Sequence, residues 1–191
     1  MSRFRDAVKQ MIKDEFSTVE RCRDMAPGDL VVTPTGLRYN GKRYPCAIGR
    51  GGLSSRKTEG DGATPVGIHR IVALLYRPDR MKKPAKWALP ILPGDLWSDD
   101  PAMPDYNNQV KRPYEGSHEI MRRADPLYDL VLVIDWNWPK AESGRGSCIF
   151  MHGWRGSCHP TAGCIALKPE HLRLLAAHVG IGCRLIVARG I

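Results

Sequence analysis

The sequence predicts a mainly β (mixed α+β) fold, and three observations carry that reading. Short apolar runs with β character recur at 29–32, 37–39, 43–48, 68–76, 130–136, 148–151 and 185–188, separated by turn residues. Gly 19 and Pro 15 are numerous enough to supply those turns, which disfavours a helical bundle. Strands outnumber the two or three helices that the spacing suggests, and no internal repeat is present.

Taken in order, Phe4, Val8, Met11, Ile12 and Phe16 recur every three to four positions among charged residues. They predict an amphipathic helix over 3–22, stopped by Pro27-Gly28. Pro34-Thr35-Gly36 and Asn40-Gly41 then separate three strand-like runs, and Asn-Gly between two such runs is a hairpin signal. Residues 49–67 are rich in glycine and read as a loop before the strand 68–76. The stretch 77–116 is rich in proline, dotted with aromatics and aperiodic, so it is expected to be an irregular insertion forming one wall of a cleft. Residues 117–123 read as a short helix. Two buried strands, 130–136 and 148–151, follow. Pro169 opens a helix whose Leu172, Leu175, Ala176 and Val179 share one face, and Gly180 stops it.

The chain of 191 residues is long enough for a substantial core. No apolar stretch approaches the roughly 18 residues that span a bilayer, and no secretory signal is visible at the N-terminus. Twenty-nine Lys and Arg against 20 Asp and Glu give a formal charge of +9, which asks for an anionic partner. A carboxylate-rich wall polymer satisfies that. Nucleic acid is not expected, because no helix-turn-helix, finger or basic–aromatic interleaving is present. The densest basic group, Arg77, Arg80, Lys82, Lys83 and Lys86, reads first as a solvated loop.

The chemistry concentrates near the C-terminus. Ser147-Cys148-Ile149-Phe150-Met151-His152-Gly153 is an apolar run closing on a histidine, and Thr161-Ala162-Gly163-Cys164-Ile165 follows. A thiol becomes a strong nucleophile when a neighbour takes its proton, and imidazole does so at neutral pH. His152 and Cys164 therefore form a candidate acyl-transfer pair, with Gly163 leaving room for substrate beside the sulfur. The competing reading is a buried thiol and an unrelated loop histidine. A zinc site from Cys148, His152, Cys158, His159 and Cys164 lacks any Cys-x-x-Cys or His-x-x-x-His element, so no metal and no cofactor are expected. Cys158 is close enough to Cys164 in sequence to be considered as a disulfide or resolving partner. Cys148 and Cys183 read as small core residues.

His152-Gly153 with Thr161-x-Gly163-Cys164-Ile165 resembles the signature of the L,D-transpeptidase catalytic domain (YkuD-type) family. Lys57-Thr58-Glu59-Gly60-Asp61-Gly62-Ala63-Thr64-Pro65-Val66-Gly67 is similar to that family's glycine-rich segment, in the same order along the chain. The resemblance implies a β-sandwich-like core, with residues 1–27 a helical extension and 28–191 the catalytic domain. It implies Cys164 as nucleophile, His152 as base, and the Gly153 backbone carbonyl as the group orienting the ring. Backbone N–H groups at Gly163 and Cys164 would hold the oxyanion. The glycine-rich segment reads as architectural. Implied substrates are peptidoglycan stem peptides, implied location the periplasm or cell envelope, and the implied reaction a thioester formed on Cys164 and passed to an amine. Hydrolysis of the same thioester, as in an L,D-carboxypeptidase or amidase, and a non-catalytic wall-binding module are the alternatives.

The chain departs from the family pattern at Ala162, where the family carries His, and at Ala166, where it carries Arg or Asn. Arg155, His159 or Arg122 are candidates to compensate. Thr161 and Gly163 are expected to frame the substrate. Trp97 and Tyr106 are candidate cleft residues as readily as packing residues, and Arg122 and Glu119 read first as surface positions.

Overall fold

The computed structural model describes residues 3–15, 26, 28–157 and 159–189. Helix α1 (Arg3–Glu15) leads into β1 (Leu30–Thr33), β2 (Gly36–Tyr39), β3 (Lys42–Tyr44) and β4 (Cys46–Ala47). A small parallel pair, β5 (Leu53–Ser54) and β6 (Thr64–Pro65), precedes the long β7 (Gly67–Tyr76). Next come β8 (Leu89–Pro90), β9 (Asp95–Ser98), β10 (Gln109–Lys111) and β11 (His118–Ile120). The chain then forms β12 (Leu130–Ile134), β13 (Phe150–Gly153), β14 (Ile165–Leu167), α2 (Pro169–His178) and β15 (Arg184–Val187). The fold is mainly β, with one helix near the N-terminus and one after Cys164, as the sequence predicts.

Ten strands make one sheet in the order β3-β2-β1-β15-β7-β12-β13-β14-β4, with β8 beside β7. Its first and last strands, β3 and β4, are separated in sequence by Pro45 alone, so the sheet curls until its ends meet. Strands from both halves share one apolar cluster: Leu30, Val32 and Leu37 from one side, Leu132, Met151 and Ile165 from the other. Helix α2 caps that cluster with Leu172, Leu175 and Ala176.

Alternation explains why β12 is apolar throughout. Leu130, Leu132 and Ile134 face the first cluster, while Val131 and Val133 face a second one with Val72, Leu75 and Phe150. The second cluster is covered by α1 through Phe4 and Val8, and the Phe4 ring meets Trp97 edge-on at 5.5 Å. Truncating a fully buried residue such as Leu132 to Ala would cost about 2–5 kcal/mol. The Asn40-Gly41 hairpin forms as expected: both residues take positive φ, 46° and 73°, which the tight turn between β2 and β3 demands.

Three expectations are corrected. Residues 117–123 do not form a helix; His118–Ile120 pairs with β9, and a partner strand overrides weak local helical propensity. The stretch 77–116 is not irregular throughout, since it carries β8, β9 and β10, and β10-β9-β11 is a sheet of its own. The loop 49–67 contains the β5–β6 pair. The expected helical residues 16–22 lie outside the described residues.

In the basic group, two arginines are internal struts. Arg77 is buried and makes a two-point ion pair with Asp79, and Arg80 binds Asp129 and the Ala124 carbonyl. Lys82, Lys83 and Lys86 are exposed.

Candidate active site

His152 sits on β13, directly opposite Ala166 on the parallel neighbour β14. Cys164 lies two residues before Ala166, so strand alternation turns its side chain to the same face as His152. Both line one cavity of about 630 Å³, together with Glu119, Tyr128, Arg155 and Thr161. A second cavity of about 690 Å³, under α1 and lined by Phe4, Leu75 and Val110, holds neither histidine nor cysteine.

The imidazole is oriented from its own strand end. Nδ1 lies 2.7 Å from the Gly153 carbonyl oxygen, which only accepts, so Nδ1 carries the proton and Nε2 is left as the base. The Tyr128 ring meets the imidazole edge-on at 5.0 Å. Burial lowers the His152 pKa from 6.5 to about 4, against the opposing Gly153 hydrogen bond, with Arg123 lowering and Asp125 raising it further. His152 is therefore neutral at physiological pH.

The thiol is neutral as well. Cys164 Sγ donates to the Cys148 carbonyl at 3.0 Å. Burial pushes its pKa well above the usual thiol range and the Glu119 carboxylate adds to that, while the Phe150 N–H and Lys57 pull it down. No hydrogen bond joins Sγ to the imidazole. The resting pair is thiol and imidazole, rather than an ion pair. Cys164 is a free cysteine; Cys158 lies outside the described residues.

The acceptor of that S–H bond is held in place by unusual backbone. Cys148 has φ +53°, a left-handed conformation uncommon for a residue with a Cβ. Its N–H donates to Asn107 Oδ1 at 3.1 Å, and the same oxygen accepts from Trp97 Nε1 at 3.0 Å. The Asn107 amide group in turn donates to the Trp136 and Asn137 carbonyls. Trp97 is 1% exposed and packs on Phe150. It props the wall behind the thiol and does not line the cavity.

The turn bearing Cys164 is stitched to the glycine-rich segment. Thr161 Oγ1 donates to the Cys164 carbonyl at 2.6 Å and accepts the Gly163 N–H at 3.1 Å. The buried Thr64 hydroxyl donates to the Gly163 carbonyl at 2.8 Å and accepts the Gly49 N–H at 2.9 Å. Gly49 has no room for a side chain, since a Cβ there would lie 2.2 Å from the Gly62 carbonyl oxygen. Asp61 accepts from Lys57 Nζ and from the Thr58 and Ala63 N–H groups. The segment 57–67 thus acts as the bed of the cysteine turn, in keeping with its architectural reading. Of the two expected oxyanion donors, the Gly163 N–H is already engaged by Thr161.

The remaining sequence candidates divide. Arg155 and His159 line the cavity, as does Ala162. Arg122 does not; it pairs with Asp79 at 2.9 Å, beside Arg77. Tyr106 is 4% exposed, donates to Glu59 Oε2 and accepts the Gly146 N–H, so it too is internal. Burial, with Glu59 beside it, pushes its phenol up. Glu119 lines the cavity, against its reading as a surface position.

Arg50, Arg123 and Tyr128 also line it and were not legible beforehand. Arg50 is hidden in a glycine-rich loop that reads as a connector. Arg123 and Tyr128 reach the site only through the β11-to-β12 connection. Among the described residues, no group of three or more His, Cys, Asp or Glu is placed to hold a metal ion.

The family comparison decides the identity. Residues 31–187 match the L,D-transpeptidase catalytic domain (YkuD) family. The chain belongs to that family. Members of that family are cysteine enzymes that modify peptidoglycan. Among solved structures, the chain is similar to the helical cell shape determining protein Pgp2 (K307A mutant) from Campylobacter jejuni, at 14% identity and a TM-score of 0.37. That match covers 100% of this chain and spans 58% of the other. No curated protein matches. No described helix is long and apolar enough to cross a membrane.

Proposed function

We propose that this YkuD domain is an L,D-transpeptidase of the cell envelope or periplasm, using Cys164 and His152 to move an acyl group between peptidoglycan stem peptides. The observation that carries this is the pairing of His152 and Cys164 in one cavity, with Nδ1–H held by Gly153 and Nε2 left as a base. A donor peptide entering the cavity draws the thiol off the Cys148 carbonyl, and Nε2 accepts its proton. Sγ attacks the diaminopimelate carbonyl carbon, and the oxyanion is held by the Cys164 N–H, a contribution of about 3 kcal/mol in comparable sites. Collapse breaks the bond to the terminal D-alanine, whose nitrogen takes the proton back from the imidazolium. An acceptor amine then attacks the thioester, gives its proton to His152, and releases the cysteine.

Hydrolysis is the second reading, and one observation favours it. Ala162 and Ala166 put methyl groups on the cavity wall where the family carries larger polar side chains, leaving space for water beside a thioester.

Mass spectrometry of the protein incubated with disaccharide-tetrapeptides tests the proposal. The expected result is a thioester on the wild type, none on Cys164→Ala, and cross-linked dimer as product. Tripeptide without dimer would replace transfer by hydrolysis. Absence of any thioester would leave a non-catalytic wall-binding module.

A further inference from the structure

The cavity holds one carboxylate that forms no ion pair among the described residues. Glu119 on β11 lines the same space as Cys164 and His152, and its Oε2 accepts the Tyr128 hydroxyl proton. Among the described residues it makes no ion pair. Arg123, whose charge acts on Glu119, stacks over the Tyr128 ring and is committed to Asp125 through two hydrogen bonds of 2.8 and 2.7 Å. Burial pushes the Glu119 carboxyl up, helped by the Asp99 and Glu59 charges and opposed by the Tyr128 hydrogen bond and the Arg123 charge. On the same cavity, Arg50 and Arg155 carry guanidiniums with no ion-pair partner among the described residues. The lining thus carries charges of both signs outside any ion pair among the described residues: one carboxylate and two guanidiniums.

Resting on the proposed reaction, we infer that Glu119 is a specificity-determining residue that receives a primary ammonium on the stem peptide, the accompanying carboxylate being met by Arg50 and Arg155. A zwitterionic amino-acid head fits such a space, whereas a neutral amide does not. The ammonium would also answer the charge that disfavours the thiolate. Glu119 is among the groups that hold the Cys164 proton on, so pairing it would make the nucleophile easier to generate once the right peptide is present. Tyr128 touches both residues, its hydroxyl donating to Glu119 and its ring meeting the His152 imidazole edge-on.

Calorimetric binding to the full chain carrying Cys164→Ala tests this without requiring turnover. The probes are a stem tetrapeptide ending in diaminopimelate-D-alanine and the same peptide with its side-chain amine acetylated. The free amine is expected to bind about tenfold tighter or better, and adding Glu119→Gln should bring the two affinities within about twofold. Tyr128→Phe, which keeps the carboxylate, should retain the preference. The inference is overturned if neither peptide binds, if both bind alike, if the preference survives Glu119→Gln, or if a folded Tyr128→Phe protein loses it. Failure of the reaction itself reads out separately, as a wild-type protein that forms no thioester with either peptide.

Discussion

The Cys164 thiol donates its S–H hydrogen bond to the Cys148 carbonyl, 3.0 Å away, while His152 points its protonated nitrogen at the Gly153 carbonyl. The two reacting groups share a cavity in their uncharged forms. In the proposed reaction, reactivity therefore comes from substrate entry and not from a standing thiolate. A reagent that needs a preformed thiolate should therefore alkylate Cys164 slowly. At pH 7, iodoacetamide is expected to modify it at least about tenfold slower than free glutathione, followed by peptide mapping. Faster modification than glutathione would show a standing ion pair.

His152 also ties stability to pH. Its folded pKa of about 4 lies below the unfolded 6.5, so the unfolded chain binds the proton first on acidification. Its contribution is fully present above about pH 6.5 and is lost as pH falls toward 4, amounting to roughly 3 kcal/mol over the whole window. Denaturant titrations at pH 7 and 4.5 should show a smaller loss for His152→Asn than for wild type. The His69–Asp135 pair titrates in both proteins, so the difference isolates His152.

Thr64 is the pin between the glycine-rich segment and the cysteine turn. Thr64→Val keeps the shape but strands the Gly49 N–H and the Gly163 carbonyl. A loss of about 2–4 kcal/mol in urea unfolding is expected, with reduced thioester formation because the cysteine turn is no longer held.

Arg155 and Arg122 separate the cavity from its surroundings. Arg155→Ala removes a cavity cation and should raise KM several-fold while leaving kcat within about twofold. Arg122→Ala removes a partner of Asp79 and should leave both constants within about twofold. Steady-state kinetics with muropeptides decide between the two, and equal effects would contradict the placement.

The sequence made some of this legible and hid the rest for physical reasons. His152 and Cys164 could be singled out because their chemistry is local to residue type and spacing. The Asn40-Gly41 turn was legible because few residue pairs accept its backbone angles. By contrast, β11 is only three residues long and owes its form to β9, a partner absent from any local window. Trp97 reads equally as a cleft aromatic or as packing, and only the Asn107 and Phe150 contacts decide. Glu119 gains its place from Tyr128 and Arg123, and Arg50 from the turn at Thr161, whose carbonyl accepts the Arg50 N–H at 2.9 Å. Those relationships exist only once distant strands are assembled.

The single proline between the outermost strands works as a clasp on a hoop. That joint ties β4, which pairs with β14 just after Cys164, to the far edge of the same sheet. Across the cavity, Glu119 comes from the separate three-stranded sheet and Tyr128 from its connection to β12. In the proposed reaction, the residue that reads the peptide and the histidine that does the chemistry are therefore supplied by different sheets.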